Sequence, residues 1–330
     1  MVPTIRDVAQ RAGVSVATVS RVLNKSAAVG EAKRKRVEEV ALALGYTPNP
    51  NALSLLGQST GGIGVLLPYI AGDFFSGFLD GIDRATSDAG YYLIVSSSHR
   101  NVAEFRAVIQ GLNRRVDGLI VMSTEVPART VLGWLPGDLP VTFVNTDVSG
   151  VEADAVNFDN RGGARALTEH LLDRGHTRVA FLAGPEGSLD AEDRLDSFRE
   201  TLAARGLEPT LVIPGDFTLE SGRNAVAAIL AADPRPTALF AANDLSAYGV
   251  MSGVRDVGLS VPGDLAIAGF DDIQLTRFSS PTLTTVRAPV LEMGRMAIDR
   301  LLTRIRDEAP PTRPTLLPTE VVVRESTGGP

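Results

Sequence analysis

Short apolar runs of four to six residues recur along most of this 330-residue chain. They fall at Ile63 to Leu67, Tyr91 to Ser96, Gly118 to Met122, Val141 to Asn145, Val179 to Ala183, Leu211 to Pro214, Ala238 to Ala241 and Leu265 to Phe270. Between most of them lie amphipathic stretches at helical spacing, among them Phe74 to Ala89, Val102 to Arg114, Arg161 to Arg174 and Leu219 to Leu230. Continuous apolar strands separated by helices predict parallel sheets covered on both faces. The strands are too many for one ordinary open sheet, and the pattern partly repeats. Helix, glycine and strand follow one another at Ala89-Gly90-Tyr91 and again at Arg205-Gly206-Leu207. RRVDGLIVM (114–122) and RPTALFAAN (235–243) read as equivalent strands of two halves. Two doubly wound lobes leave a cleft between the carboxyl ends of their strands, where a small ligand binds.

The first sixty residues follow another rule. In TIRDVAQRAGVSVATVSRVLN (4–24), Thr4 is an N-cap with Asp7 three residues on, and Ile5, Val8, Ala9 and Ala12 share one helical face. Gly13 stops that helix and Ser15 caps a second. There Val19, Val22 and Leu23 point inward, leaving Val16, Ala17, Ser20 and Arg21 outward. Two helices joined by so short a turn, the second presenting its first turn outward, predict a helix-turn-helix reader of the DNA major groove. An ordinary helical hairpin is the bland alternative. The residues expected to meet DNA are Thr4, Ser15, Val16, Ala17, Thr18, Ser20, Arg21, Asn24 and Lys25.

Charge separates the two regions. The chain carries a net charge of −7, yet residues 1–60 hold eight basic side chains against four acidic ones, +4, which leaves −11 for the remainder. This asymmetry predicts a nucleic-acid-binding module on a body with another task. The run Lys33-Arg34-Lys35-Arg36 opens a third helix with Val37, Val40, Ala41 and Leu44 inward, and is expected to touch phosphates rather than only water. Tyr46 to Asn51 is turn chemistry, followed by the short apolar piece Ala52 to Leu56. So short a helix cannot nucleate alone. Its three leucines need cover, from a partner copy or from the minor groove, where apolar wedges kink DNA.

Other classes fail on inventory. There is no cysteine, which fits a reducing compartment and excludes thiolate metal sites. No signal peptide or membrane-spanning apolar run is legible, so a soluble cytoplasmic protein without membrane partners is expected. His99, His170 and His176 lack metal-ligand spacing, Gly61-Gly62-Ile63-Gly64 precedes a strand rather than a helix, and no G-x-S-x-G occurs. No cofactor is expected. A pure solute-binding protein is the rival of another class, and the basic head speaks against it.

The motifs TIRDVAQRAGVSVATVSRVLN, LGYTPNPNAL, FDNRGGARALTEHLLDRGH, AANDLSAYG, VPGDLAIAGFDD and SSPTLTTVR occur in that order over nearly the whole chain. In this set the chain resembles the lactose-repressor/galactose-repressor family of bacterial transcription regulators. The resemblance implies a reader at 1–47, a hinge helix and linker at 48–61 and an effector-binding and dimerisation body at 62–330. Lobe one takes about 62–158 and 288–318, lobe two about 159–287 and 319–330, with crossovers near 158–160, 286–288 and 317–319. It implies a homodimer on a pseudo-palindromic operator, most simply a repressor, whose DNA affinity changes with a small effector, a sugar or sugar derivative. Leu55 matches the intercalating hinge leucine, while Leu53 stands where relatives often carry arginine or glutamine.

For the effector, the same resemblance marks Phe74 and Phe75, one of them a core residue, with Asn145, Asp190, Arg194, Phe217, Asn243 and Asp271. Ser188 lies in the same segment as Asp190. Arg194 is the ligand clamp; the alternative is a surface arginine pairing with Asp193 or Asp196. Gly72-Asp73 replaces a common Asn-Pro pair, and Asn145 a usual aspartate. A site rich in acceptors around one arginine suits a neutral polyol better than an anion. Inducer or corepressor action, the operator and the effector's identity stay open at this point.

Overall fold

In the computed structural model, residues 3–23, 29–46, 59–70, 72–124, 126–135, 137, 139–306, 311–312 and 314–328 are described. The chain divides into two compact units, Met1–Thr60 and Gly61–Pro330. Asn24, Lys25 and the hinge segment with Leu53, Leu55 and Leu56 lie outside the described residues.

Among the described residues the first unit holds three helices, α1 (Ile5–Ala12), α2 (Val16–Leu23) and α3 (Glu31–Leu44). At the start of α1 the Thr4 N–H donates to Asp7 Oδ2 at 2.7 Å, and the Asp7 N–H donates to Thr4 Oγ1 at 3.4 Å. This reciprocal box satisfies two donors that the first turn leaves without helical partners. Gly13 closes α1 in the left-handed region, φ 67°. The Thr18 N–H then donates to Ser15 Oγ at 3.1 Å and starts α2. Val8, Ala12, Val19, Val22 and Val37 form the small core.

Among the described residues the second unit contains twelve strands, β1 (Gly62–Leu67), β2 (Tyr92–Ser97), β3 (Gly118–Met122), β4 (Val141–Val144), β5 (Asp154–Phe158), β6 (Val179–Leu182), β7 (Leu211–Ile213), β8 (Ala238–Ala241), β9 (Ala266–Asp271), β10 (Thr284–Arg287), β11 (Pro314–Leu317) and β12 (Glu320–Val322). Between them run α4 (Asp73–Asp88), α5 (Val102–Leu112), α6 (Ala128–Leu132), α7 (Asn160–Asp173), α8 (Leu189–Ala203), α9 (Leu219–Ala231), α10 (Asp244–Asp256) and α11 (Val290–Ile305). The strands form two six-stranded sheets, ordered β11-β5-β4-β3-β1-β2 and β12-β10-β9-β8-β6-β7. All pairs are parallel except β10 with β12. β3 and β8 occupy equivalent places, as their sequences suggest. The architecture is thus a helical head and a body of two doubly wound lobes.

The chain passes between lobes three times, at Phe158 to Asn160, Arg287 to Val290 and Leu317 to Glu320. Each lobe buries one close helix pair whose backbones meet at glycines. A Cβ at Gly294 in α11 would overlap the Phe78 carbonyl in α4, and one at Gly249 in α10 the Leu219 carbonyl at the start of α9. The apolar core continues across the crossovers. Phe74 and Phe158 lie 6.2 Å apart, and Phe158 and Phe270 6.4 Å, so an aromatic line runs from one lobe into the other beneath the cleft.

Candidate functional site

On the head, the buried stripe of α2 is Val19 and Val22, with Leu23 half-buried. Val16, at 42 % exposure, and the exposed Ala17 and Arg21 form the opposite face, with Thr18 and Ser20 between. Ser15 and Thr18 are tied to each other through their hydroxyls at 2.9 Å. Lys33, Lys35 and Arg36 of α3 are exposed, and the Arg36 guanidinium leans toward the Gly13 turn.

In the body, a cavity of about 540 Å³ opens between the lobes. Its walls are built from residues at or just past the carboxyl ends of strands: Tyr69 after β1, His99 and Arg100 after β2, Thr124 after β3, Ser188 after β6, Phe217 after β7, Asn243 after β8 and Asp271 closing β9. There a parallel sheet aims its side chains outward without a covering helix.

Arg194 organises the deep end. It is 3 % exposed and lies 3.8 Å above the Phe270 ring. Its Nε donates to Asn160 Oδ1 at 2.8 Å and its Nη1 to the Ala242 carbonyl at 2.6 Å. Its Nη2 stands 3.6 Å from Asp271 Oδ1. The surface alternative fails, since Asp193 pairs with Arg161 at 3.5 Å and Asp196 with Arg199 at 3.9 Å. Among the described residues no hydrogen bond reaches the Asp271 carboxylate. Burial pushes its carboxyl up to about 7, against the pull of Arg194 and with the charge of Asp190 adding to the rise. Behind it Asp244 is wholly buried, accepting from Thr285 Oγ1 at 2.6 Å and the Ile273 N–H at 3.0 Å. Burial and then the charge of Asp271 hold the Asp244 carboxyl well above the usual carboxylate range.

The other expected residues divide. Phe74 is half-buried and Phe75 is 5 % exposed in the core, though both border the cavity. Phe217, at φ 69°, forms the facing aromatic wall, 5.9 Å from the Arg194 guanidinium carbon. Asn145 is not a wall residue. It sits behind Asp190, donating from Nδ2 to Asp190 Oδ2 at 2.8 Å, while Asn160 Nδ2 donates to Oδ1 at 2.7 Å. Asp190 therefore borders the cavity as a clasp joining β4 of one lobe, the first crossover and α8 of the other. Asn243 caps α10, its oxygen accepting from the Ser246 N–H at 3.0 Å and one of its N–H groups donating to the Phe217 carbonyl at 3.0 Å. Ser188 is 1 % exposed, and its hydroxyl has no hydrogen-bond partner among the described residues. Among those residues no histidine and carboxylate cluster could hold a metal, and no helix is long and apolar enough to cross a membrane.

The comparisons with known proteins agree with this geometry. Residues 4–49 match the model of bacterial regulatory proteins of the lacI family, and 168–327 that of a periplasmic binding protein-like domain. The chain is 33 % identical over 328 residues to the HTH-type transcriptional repressor PurR of Photobacterium profundum, covering 98 % of each. It is 34 % identical over 318 residues to the ribose operon repressor of Escherichia coli (strain K12), covering 95 % of this chain and 94 % of the relative. The chain belongs to the LacI family. A solved Lac repressor dimer bound to operator and the anti-inducer ONPF superposes with a TM-score of 0.85 at 30 % identity, covering 99 % of both chains. The regulator CelR in complex with cellobiose gives 0.75 at 32 %, covering 98 % of this chain and 99 % of that one.

A LacI-family chain of this build is a DNA-binding transcriptional repressor, and its relatives of that description are not enzymes. Sequence reasoning did not single out Tyr69, His99, Arg100, Thr124 or the buried Asp244 for the cleft. The signal was present, because all five stand two or three residues past a strand's carboxyl end.

Proposed function

We propose that this repressor binds a pseudo-palindromic operator as a homodimer and changes its DNA affinity when a neutral polyhydroxylated molecule, a sugar, occupies the cleft. The observation that carries the effector reading is the Arg194–Asp271 pair. Two buried, opposite charges stand 3.6 Å apart on an aromatic floor, and among the described residues the carboxylate has no hydrogen-bond donor of its own. A hydroxyl placed between them would donate to Asp271 and accept from Arg194, and a vicinal diol would do so twice. The aromatic faces suit the C–H side of a pyranose or furanose ring, and Ser188 supplies a further hydroxyl. An anionic ligand would meet Asp190 and Asp271 at close range and is disfavoured.

In this reading residues 1–47 form the reader, 48–61 the hinge and 62–330 the effector-binding and dimerisation body, acting in the cytoplasm where the chromosome lies. Val16, Ala17, Ser20 and Arg21 face the base edges, with Thr4, Ser15 and Thr18 at the backbone. The edge strand β2, with Tyr92 47 % exposed, is a surface a second copy would cover. The test is calorimetry against a sugar panel, with Arg194→Ala and Asp271→Ala beside the parent. Both variants should lose effector binding by tenfold or more while keeping the fold and basal operator affinity. Unaltered effector affinity in both would place the pocket elsewhere.

A further inference from the structure

The cleft is larger than one sugar ring needs and is built in two zones. Its deep end is closed, with Ser188 1 % and Arg194 3 % exposed. Its mouth is open, with the His99 side chain 71 % exposed and Asp216 and Thr218 exposed on the facing lobe. A hexose has twelve heavy atoms; even at the ~30 Å³ that a water molecule occupies, an overestimate for bonded atoms, they fill about 360 Å³. The cavity measures about 540 Å³ and is open at its mouth, so it holds one ring with room to spare, and a second ring would lie partly outside it.

The mouth is an organised surface. The Tyr69 ring meets Phe75 edge-on at 4.6 Å, so it extends the deep aromatic floor outward. The Arg100 guanidinium carbon lies 5.8 Å from the Tyr69 ring centre. His99 and Arg100 both take left-handed backbone, φ 47° and 57°, a region uncommon for residues other than glycine, though histidine is enriched there. The loop is pinned there by the Arg100 N–H on the Pro68 carbonyl at 3.2 Å and the Ser98 N–H on the Leu67 carbonyl at 3.0 Å. His99 is held between Glu104 at 2.7 Å and Ser97 at 3.1 Å. A pinned loop thus sets a cation beside an aromatic ring at the cleft entrance, an organised surface for a polar ligand with an apolar face.

We propose that the effector is a two-ring saccharide, its first ring held by Arg194 and Asp271 and its second lying at the mouth on Tyr69 and Arg100. This rests on the sugar reading above. Arg100 then determines specificity for size, donating to oxygens of the second ring, and Asp216 accepts from its hydroxyls across the gap.

The test is calorimetry on the full chain with ribose, glucose and galactose against cellobiose, maltose and lactose. At least one disaccharide should bind tenfold or more tightly than its constituent monosaccharides. Arg100→Ala should weaken that disaccharide by roughly 10-fold or more, as expected for loss of a charged hydrogen bond, with the melting temperature and monosaccharide affinity unchanged. Tyr69→Leu should act in the same direction. A monosaccharide binding as tightly as the best disaccharide, or equal losses for both sizes in Arg100→Ala, overturns the two-ring assignment alone. Absence of binding by every sugar of either size overturns the sugar reading and this assignment with it.

Discussion

Asp271 is the residue on which the cleft's chemistry turns. Its carboxyl is pushed up to about 7 by burial, more than Arg194 can offset. A raised acid contributes stability that is fully present below its unfolded value near 4 and is lost as pH rises through about 7. The folded repressor therefore gives up stability over that window, by at most ~1.4 kcal/mol per pH unit from this group. Asp271→Asn removes the effect. Its melting temperature relative to the parent should rise between pH 5 and pH 8, measured by thermal unfolding; a constant difference would show that Asp271 does not titrate there. A hydroxylated effector needs the ionised acceptor, so its affinity should climb over the same range and level off above about pH 8. Arg21 plays the matching part on the head. Arg21→Ala should cost roughly 1–3 kcal/mol on the operator and relax base choice, and an equal loss on random DNA would reduce Arg21 to a phosphate contact.

At the scale of elements, helix contacts set the tolerances. Gly294→Ala must separate α11 from α4 against backbone rather than against a flexible side chain. It should cost about 1–3 kcal/mol in denaturant unfolding. Gly111, near the end of α5, has open space around it, and Gly111→Ala should stabilise by up to about 1 kcal/mol. Most elements are legible in the amino-acid pattern alone. The helix read from Phe74 to Ala89 lies at Asp73–Asp88, and the strand read from Tyr91 to Ser96 at Tyr92–Ser97. α8 is not, for a physical reason. Its buried face carries Arg194, Ser197 and Thr201 beside Ala191, Phe198 and Leu202, so the apolar stripe is broken where the site needs polar groups. The role of Asn145 is equally hidden. Its partner Asp190 lies 45 residues away in the other lobe, and no periodicity links the two. Asp244 escapes notice in the same way, buried on a helix that also buries Tyr248, Val250 and Met251, with its partners Ile273 and Thr285 29 and 41 residues away.

For the whole molecule, a basic head and an acidic body assign two tasks to two units. Operator binding should weaken steeply with salt, with a log–log slope of about −0.9 per phosphate neutralised. Asp190 of lobe two is joined to Asn145 of lobe one and to Asn160 at the crossover, and Asn160 and Ala242 hold Arg194 beside it. In the proposed function a ligand there would act on the angle between lobes as well as on its own contacts, and a coupling to DNA of typical size would be about 1–3 kcal/mol, or roughly 5- to 150-fold in affinity. The central claim is that occupancy at Arg194 and Asp271 sets DNA affinity. The most direct measurement is fluorescence anisotropy of the full chain on an operator selected by its own affinity, with and without the sugar that calorimetry identifies. The parent should shift its operator affinity at least about fivefold when the sugar is added, while Asp271→Ala matches the parent without sugar and does not respond. An equal shift in parent and variant, or none in a parent saturated with that sugar, would contradict it.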